Sequence, residues 1–326
     1  MLGYYETQSL DPCFNLAFEE QLLETVRSGE LLMLWQNDRT AVIGLNQNAA
    51  EEVDAGAAKR LGVTVVRRMT GGGAVYHDLG NLNYSFITDA GDAAELSFER
   101  FTAPVCAALG SLGVPAEATG RNDITVRGLK VSGTARRLYS GRILHHGTLL
   151  FRTDRETMSA VLRPDGSKFS GKAAKSVRAR VGQICSFLPE GTTLEGFKAE
   201  LLRALAPEGL ERRSLDAAAL REVERRAEKY RSWDWTWARS PDFGFKSSRR
   251  FPAGSLTVSL DVSGGVIRGA ALSGDFLAAV PAGPLLEGLR GARFEREAVR
   301  EAVEGLDLAN ILGGIGLEEL LDLIFG

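Results

Sequence analysis

The chain has 326 residues, of which 44% are hydrophobic and 25% are charged, as in an ordinary folded protein with more than one domain. A formal net charge of −3 gives no electrostatic basis for binding nucleic acid or an anionic membrane, and no segment approaches transmembrane length. The N-terminal residues do not resemble a signal peptide, and three cysteines without a CxxC pair disfavour a disulfide framework. We therefore expect a cytoplasmic protein without a nucleic-acid or membrane partner and without a dedicated structural metal.

The N-terminal part alternates between helix and strand patterns. Asp11-Pro12 is a typical helix start, and Gly29 ends the apolar stripe that follows. The pattern then predicts strands at 31–35 and 40–45, a helix at 51–61 and a strand at 63–67. We expect the first two of these strands to be neighbours, because only a four-residue turn separates them.

The middle of the chain continues this alternation. It predicts a strand at 81–88, a helix at 97–109, strands at 123–126, 130–138 and 143–151, and helices at 154–162, 193–205 and 215–230. Short turns with glycine separate the last three strands, so we expect antiparallel pairing there. A mixed sheet flanked by helices follows from this order.

The composition changes near residue 240. The stretch 240–252 is polar and rich in turn residues, so we expect a loop and hinge there. A hairpin at 254–262 and 265–273 and helices at 294–306 and 317–325 come next. We predict an α+β protein with a large mixed-sheet domain at residues 1–243 and a small C-terminal α+β domain at residues 244–326.

The segment RRMTGGGAVYHDLGNLNYSF, residues 67–86, is the most informative part of the sequence. Glycines 71–73 allow successive backbone N–H groups to converge on phosphate or carboxylate oxygens. Arg68 is suited to bind the same oxygens through two parallel hydrogen bonds. The order of residues matches neither the P-loop nor the GxGxxG fingerprint.

Histidines occur at two places, as His77-Asp78 and as His145-His146. Adjacent residues on an extended segment point in opposite directions, so neither pair is well placed to act jointly. We expect His77 to pack against the ligand or fix the loop, rather than act as a general base. A pocket-lining or structural role is favoured over metal binding for the second pair.

A second cluster surrounds Lys130, which opens a strand and is followed by Ser132-Gly133. A lysine there can bridge two negative groups as a compact charge, although a lysine at a strand end is commonly a surface residue. Asp123 could bind a lysine, an arginine or magnesium, or could simply be a turn residue. The basic segment 163–180 could be a surface loop or a cationic lid over a phosphorylated intermediate.

With these motifs, the chain resembles the lipoate–protein ligase A family of the biotin/lipoate ligase superfamily. The similarity runs nearly from end to end, and its most specific parts are RRMTGGGAVYHDLGN and KVSG followed by HHGTLL. The chain departs from the family pattern at Cys13, often a tryptophan, and at Leu45, where a basic residue is common.

The resemblance implies that ATP activates lipoate to lipoyl-adenylate and that the lipoyl group then passes to a lysine of an acceptor domain. Acceptors would be E2 subunits of 2-oxoacid dehydrogenases and the H protein of glycine cleavage, with Mg²⁺ accompanying the nucleotide. ATP or the adenylate is expected at Arg68, Gly73, Ala74, Val75, Tyr76 and Lys130. Lipoate is expected at Lys130, Gly71, Gly72, His77 and His146. Asp123 would support magnesium or phosphate, and we expect a monomer.

Two alternatives remain open at this point. An octanoyl- or lipoyl-transferase of the same superfamily works through a cysteine thioester without ATP, but no cysteine precedes the KVSG segment here. A non-catalytic protein would bind lipoate or nucleotide without releasing pyrophosphate. A biotin ligase is disfavoured, because the GRGRxG-type loop is missing. The choice between lipoate and octanoate stays open.

Overall fold

In the computed structural model of the chain, the described residues are 1–91, 98–119, 122–162, 169–171, 181–252, 254–276 and 278–326. They form two compact units. Unit 1 comprises residues 1–45, 63–159 and 176–231, and unit 2 comprises residues 46–62, 160–175 and 232–326. The basic segment 163–180 lies outside the described residues apart from a short strand at 169–171, so its role stays a prediction.

Unit 1 is built on an eight-stranded mixed sheet. In spatial order its strands are β12 (Leu210–Arg212), β1 (Leu2–Glu6), β2 (Leu31–Trp35), β6 (Asn81–Asp89), β10 (Arg142–Leu150), β9 (Leu129–Tyr139), β8 (Asp123–Val126) and β7 (Ala116–Thr119). The pairs β12–β1 and β1–β2 are parallel, and the others are antiparallel. This sheet confirms the predicted mixed α+β architecture.

Helices cover both faces of this sheet. They are α1 (Pro12–Thr25), α4 (Phe98–Ser111), α6 (Leu194–Leu205) and α7 (Ala217–Arg231), with a 3₁₀ turn at Ile184–Phe187. Helices α4 and α6 bury one face in a core that includes Leu32, Tyr84, Val105 and Phe197. On the opposite face, α1 contacts β6 and β10 and packs against α7.

Local sequence signals explain where several elements begin and end. Helix α1 starts as predicted, because the Asp11 side chain accepts a hydrogen bond from the Cys13 amide at 2.9 Å. The hairpins around β9 turn through Arg127-Gly128 and Ser140-Gly141, all four with φ between 46° and 78°. Such positive φ values belong to the tight turns that antiparallel neighbours need, and the predicted antiparallel pairing is confirmed.

A separate three-stranded sheet corrects one expectation. Its strands, in spatial order, are β4 (Thr64–Arg67), β3 (Thr40–Ile43) and β5 (Val75–His77). The prediction that β2 and β3 are neighbours is therefore wrong, because β2 pairs with β1 and β6 instead. The four-residue connection redirects the chain through Arg39, whose φ is 34°, instead of closing a hairpin.

Unit 2 contains a four-stranded sheet with helices packed on it. The strands are β11 (Phe169–Gly171), β13 (Phe243–Phe251), β14 (Gly254–Ser263) and β15 (Val266–Gly274). The helices are α2 (Ala49–Glu52), α3 (Ala55–Arg60), α8 (Gly283–Leu289), α9 (Arg296–Val303), α10 (Leu308–Ile311) and α11 (Leu317–Phe325), and α5 (Arg155–Val161) crosses the boundary between the units. A π-helical turn lies at Asp234–Ala238.

The loop expected at 240–252 is wrong for most of its length, since β13 occupies residues 243–251. Phe243, Phe245, Ser247 and Phe251 are buried at alternating positions, which is the period of a half-buried strand. Two polar residues in the same register as the phenylalanines, Ser247 and Arg249, hide this alternation in the sequence. Across the described ranges, no helix is both long enough and apolar enough to cross a membrane.

Candidate active site

The glycine loop, residues 70–74, connects β4 to β5 in the small sheet of unit 1. Gly72 has a φ of 90°, which favours glycine. Gly44 lies against this loop so closely that a Cβ there would be 2.2 Å from the Gly72 carbonyl oxygen. The Leu45 amide also donates to the Thr70 carbonyl at 2.8 Å. The loop is thus fixed by backbone contacts with the end of β3.

Arg68 lies under the glycine loop and is 95% buried, with 5% of its surface exposed. Its Nη2 donates to the carbonyl oxygens of Gly71 and Gly73, at 2.5 and 2.9 Å, and its Nη1 donates to the Val42 carbonyl at 3.2 Å. Burial lowers the pKa of Arg68 to about 10, so the guanidinium stays charged at neutral pH. In this structure Arg68 shapes the loop from below, and its expected contact with the nucleotide stays a prediction.

Arg67 is also fully buried, and its Nη1 donates to the carbonyl oxygens of Gly44 and Leu45 at 2.9 and 3.1 Å. Leu45, the position that departs from the family pattern, therefore contributes backbone groups to the loop support. Of the three positions that follow the glycines, Ala74 ends the loop, and Val75 and Tyr76 are the first two residues of β5. Tyr76 is buried, and burial raises the pKa of its hydroxyl to about 12.

Strand β9 directs alternate positions toward the glycine loop. The Ala135 Cβ lies 3.8 Å from the position that a Cβ on Gly72 would take. Arg137 Nη1 donates to the Met69 carbonyl at 2.8 Å. Since alternate residues of a strand share a face, Gly133 lies on this face as well. We call it the loop face of the eight-stranded sheet.

A β-bulge brings Lys130 onto the loop face. Regular alternation would place Lys130 on the opposite face from Gly133, because the two are three residues apart. The register of β8 against β9 shifts at Ile124/Thr125, which leaves Val131 as an extra residue in β9. As a result, Cε and Nζ of Lys130 lie 3.2 Å from the position that a Cβ on Gly133 would take. Bulges beside active sites commonly redirect a side chain in this way.

Asp123 is the ionic partner of Lys130, at 2.8 Å between Oδ1 and Nζ. Its strand register places it directly opposite Gly133, hence on the same face. Of the roles considered for Asp123, the structure supplies the lysine contact. Among the described residues, no group of three or more His, Cys, Asp or Glu side chains could hold a metal ion.

The adjacent histidines of β10 point to opposite faces of the sheet, as the strand alternation predicts. His146 is on the loop face, where Nδ1 lies 2.9 Å from Glu19 Oε1 and Nε2 lies 2.8 Å from Thr70 Oγ1. His145 is on the other face, which we call the aromatic face, and stacks on Phe101 with 4.7 Å between ring centroids. Burial lowers the pKa of His145 to about 3.

His77 is almost completely buried at the end of β5. Its Nδ1 accepts a hydrogen bond from Asn37 Nδ2 at 3.1 Å, so the proton of the neutral ring is on Nε2. Burial, and then the charge of Arg68, lower the pKa of His77 to about 3. Within the described part of the chain, Nε2 has no hydrogen-bond partner.

Sequence reasoning missed Glu19, a fully buried acid of α1. It accepts hydrogen bonds from His146 and from Ser85 Oγ, the latter at 2.5 Å, and Ser85 in turn accepts one from Trp35 Nε1 at 2.9 Å. The only signal was a pair of acidic residues, Glu19 and Glu20, in a helix that is otherwise rich in apolar residues. Arg68, His77, His146 and Glu19 are thus brought together beneath the glycine loop.

Two family models match the chain, one for each end. The "Lipoyl protein ligase A/B catalytic domain" matches residues 11–206, and the "Bacterial lipoate protein ligase C-terminus" matches residues 240–324. The chain therefore belongs to the lipoate–protein ligase family, and the resemblance seen in its motifs is confirmed.

Curated and solved relatives agree with this assignment. Lipoate-protein ligase LplJ of Bacillus subtilis (strain 168) is 39% identical over an alignment of 325 positions that covers 97% of each chain. The structure of protein Ta0514 from T. acidophilum with bound lipoic acid is 27% identical, with a TM-score of 0.62 over 72% of this chain and 98% of that one. Lipoate-protein ligase A bound with ATP is also 27% identical, with a TM-score of 0.61 over 72% and 97% of the two chains.

Proposed function

We propose that this protein activates lipoate with ATP and transfers the lipoyl group to a lysine of an acceptor domain. One observation carries the proposal: a bulge brings the Lys130 ammonium onto the face of β9 that supports the glycine loop. A cation on the same sheet face as a glycine loop is suited to bind a carboxylate and a phosphate together, because consecutive glycines let backbone N–H groups converge on anionic oxygens.

In the first step, a lipoate carboxylate oxygen attacks the α-phosphorus of ATP, and pyrophosphate leaves with the electrons of the broken P–O bond. Attack of one anion on another is opposed by charge repulsion, which Lys130 offsets when it lies between the two. A positioned cation stabilises most where charge develops and water is excluded. Fixing both groups in line also removes much of the orientational entropy cost. In the second step, the acceptor amine attacks the acyl carbon, the bond from that carbon to the phosphate oxygen breaks, AMP leaves with its electrons, and the nitrogen releases a proton.

The remaining site residues take the roles expected for them. Arg68 and the backbone of residues 73–76 bind ATP and the adenylate. Gly71, Gly72, His77 and His146 contact lipoate. The Nε2–H of His77, which has no acceptor among the described residues, supports this role, because a buried donor without an acceptor costs about 1–3 kcal/mol unless a ligand atom supplies one.

Magnesium enters this proposal with the nucleotide. The oxygen of Asp123 that pairs with Lys130 is a hard ligand of the kind that magnesium prefers, but one carboxylate does not make a dedicated site. Nucleotide phosphates would supply the other ligands. Asp123 would support the ion or the phosphates beside Lys130.

The acceptors in this proposal are the lipoyl domains of E2 subunits and the H protein, and octanoate is a second small-molecule candidate. A monomeric state, a cytoplasmic location and the domain division at residue 243 belong to the same proposal. The match to two separate family models at 11–206 and 240–324 supports a catalytic part and an accessory part.

The transferase alternative requires a reactive thiolate. Cys13 is buried, and burial raises the pKa of its thiol to about 12. Burial also raises the pKa of Cys106, which is half-buried in α4 on the core of the aromatic face. Cys185 lies in the 3₁₀ turn at Ile184–Phe187, against the same core. These positions favour the ATP-dependent reaction, in which the adenylate is the activated species.

Pyrophosphate release tests the proposal directly. The purified chain with lipoate, ATP and magnesium should release pyrophosphate, and Lys130→Ala should lower the rate by at least about 100-fold, as expected for one positioned group. Lys198→Ala is the matched control, because Lys198 is also shielded and paired with a carboxylate, Glu6, but lies on α6. Acyl transfer between carrier domains without ATP would favour the transferase, and lipoate binding without pyrophosphate release would favour a non-catalytic protein.

A further inference from the structure

Four polar groups beneath the glycine loop form a hydrogen-bonded chain with a single direction. The Glu19 carboxylate can only accept, so the proton of His146 near it is on Nδ1. His146 Nε2 then accepts from the Thr70 hydroxyl at 2.8 Å. Thr70 Oγ1 in turn accepts from Arg68 Nε at 2.9 Å. Every donor in this chain therefore points toward Glu19.

At the end opposite Glu19, the hydrogen-bonded chain reaches the Arg68 guanidinium, which shapes the glycine loop. Along one edge of the Arg68 guanidinium, Nε donates to Thr70 and Nη2 donates to the carbonyl oxygens of Gly71 and Gly73, while Nη1 on the other side donates to the Val42 carbonyl. The orientation of its planar guanidinium is consequently fixed on both sides. Loss of a hydrogen bond that allows the Thr70 or His146 side chain to rotate would tilt the guanidinium and move the loop carbonyl groups with it.

We propose that Glu19, His146 and Thr70 are positioning residues that hold Arg68, and through it the glycine loop, in the geometry that binds nucleotide. The inference rests on the proposed function, because it names the support of the same nucleotide site. It gives His146 a task in addition to its expected contact with lipoate. Glu19 and Thr70 touch neither substrate in this proposal and act through Arg68.

The physical basis is the burial of every member. Glu19, Thr70, His146 and Arg68 are each at least nine-tenths buried, so water cannot replace a lost partner. Hydrogen bonds in such surroundings are stronger than in water, and chains of them polarise one another in one direction. The negative end at Glu19 and the positive end at Arg68 favour the same alignment. Charge-assisted hydrogen bonds are also stronger than neutral ones.

The test compares variants that interrupt the hydrogen-bonded chain with variants that keep it intact. Thr70→Val removes the hydroxyl at constant shape, whereas Thr70→Ser keeps it. Glu19→Gln removes the charge at constant shape. Tyr84→Phe is the matched control, because it removes a buried hydroxyl from the opposite face of the same sheet, on β6. Pyrophosphate release is measured with ATP varied at saturating lipoate, and hydrogen exchange is measured on peptides that span the glycine loop.

Thr70→Val and Glu19→Gln should each raise the KM for ATP by about tenfold, the loss expected for a hydrogen bond to a charged group, and speed exchange in the loop. Thr70→Ser and Tyr84→Phe should stay within about twofold of the wild type. In the double variant, Glu19→Gln should raise the KM for ATP little beyond the value of Thr70→Val, because the hydrogen-bonded chain is already interrupted.

Two results would overturn the proposal. One is an unchanged KM for ATP and unchanged loop exchange in both cutting variants. The other is full additivity in the double variant, which would make the residues independent structural contacts. Should Thr70→Val fail to fold, Glu19→Gln against Tyr84→Phe decides by the same two measurements. A wild-type protein that releases no pyrophosphate would instead contradict the proposed function, and loop exchange would still report on the positioning chain.

Discussion

The two faces of the eight-stranded sheet bury adjacent histidines in opposite surroundings. On the loop face, His146 has hydrogen-bond partners at both ring nitrogens, Glu19 and Thr70. On the aromatic face, His145 lies against the rings of Phe98 and Phe101 and has no hydrogen-bond partner among the described residues. Their exposed fractions are similar, 7% for His146 and 0% for His145.

Burial alone therefore does not indicate what a buried histidine does. The loop face collects a carboxylate, a guanidinium and hydroxyl groups that fix one another in space, and this is the side on which the Lys130 ammonium emerges. The aromatic face packs apolar side chains from the helices α4 and α6. Polar residues on the loop face fix one another in position, whereas residues on the aromatic face pack against apolar side chains. Paired variants, one on each face, can test this difference.

The largest expected effect comes from replacing each histidine by leucine. His146→Leu should lower the free energy of unfolding by about 3 kcal/mol, because it leaves a buried carboxylate without its N–H donor. His145→Leu should change it by less than about 1 kcal/mol, because an apolar side chain of similar size suits an aromatic pocket. Urea denaturation of the two variants measures both values. Equal destabilisation would mean that the two faces do not differ in the way described.

Acid should destabilise the protein through one histidine on each side of the sheet. Burial lowers the pKa of His77 and of His145 to about 3, whereas an unfolded histidine has its ordinary value of 6.5. Below pH 6.5 the unfolded chain takes up protons that these folded side chains do not, so stability is complete above pH 6.5 and is lost as the pH falls. Each histidine should contribute a loss of about 1 kcal/mol over the first pH unit below 6.5, with a slope that approaches about 1.4 kcal/mol per pH unit at lower pH.

The measurement is the free energy of unfolding in urea between pH 6.5 and 5.5. His145→Leu serves as the control, since it should remove the contribution of the aromatic face and leave that of His77. A stability that stays constant over this interval would show that both rings can be protonated in the folded protein.

Several parts of this fold and site were predictable from sequence because they depend on local chemistry. The start of α1 follows from Asp11-Pro12, and the antiparallel strands follow from glycine-bearing turns. Three consecutive glycines between β4 and β5 had no use in a regular element, so a backbone cradle was the natural interpretation. Lys130 at the start of β9 was also recognisable from local sequence, because it follows a glycine turn.

Other features depend on distant contacts and left no local signal. Glu19 lies in a helix buried on nearly every side, so no contrast between polar and apolar faces singled it out. The bulge at Val131 is set by the register against β8, which alternation along one strand does not reveal. Strand β3 belongs to a second sheet and does not pair with β2, because β6, from a later part of the chain, occupies that edge of β2.

A methyl group added on each side of the sheet gives the smallest expected effect on catalysis but separates positioning from packing most clearly. In Gly44→Ala, the new Cβ would lie 2.2 Å from the backbone oxygen of Gly72, so the glycine loop must move. In Gly147→Ala, it would lie 2.6 Å from the ring tip of Tyr84 on the aromatic face. Overpacking of this kind costs about 1–3 kcal/mol in either variant.

The two variants should differ in catalysis although both are destabilised. Gly44→Ala should raise the KM for ATP several-fold, because the clash displaces the backbone that is proposed to bind nucleotide. Gly147→Ala should keep the KM of the wild type, because its clash pushes an aromatic ring toward the core of α4 and α6. Thermal unfolding and pyrophosphate release, measured on the same samples, separate the two effects. If Gly147→Ala raised the KM for ATP as much as Gly44→Ala, strain would pass freely through the sheet, and the aromatic face would take part in positioning.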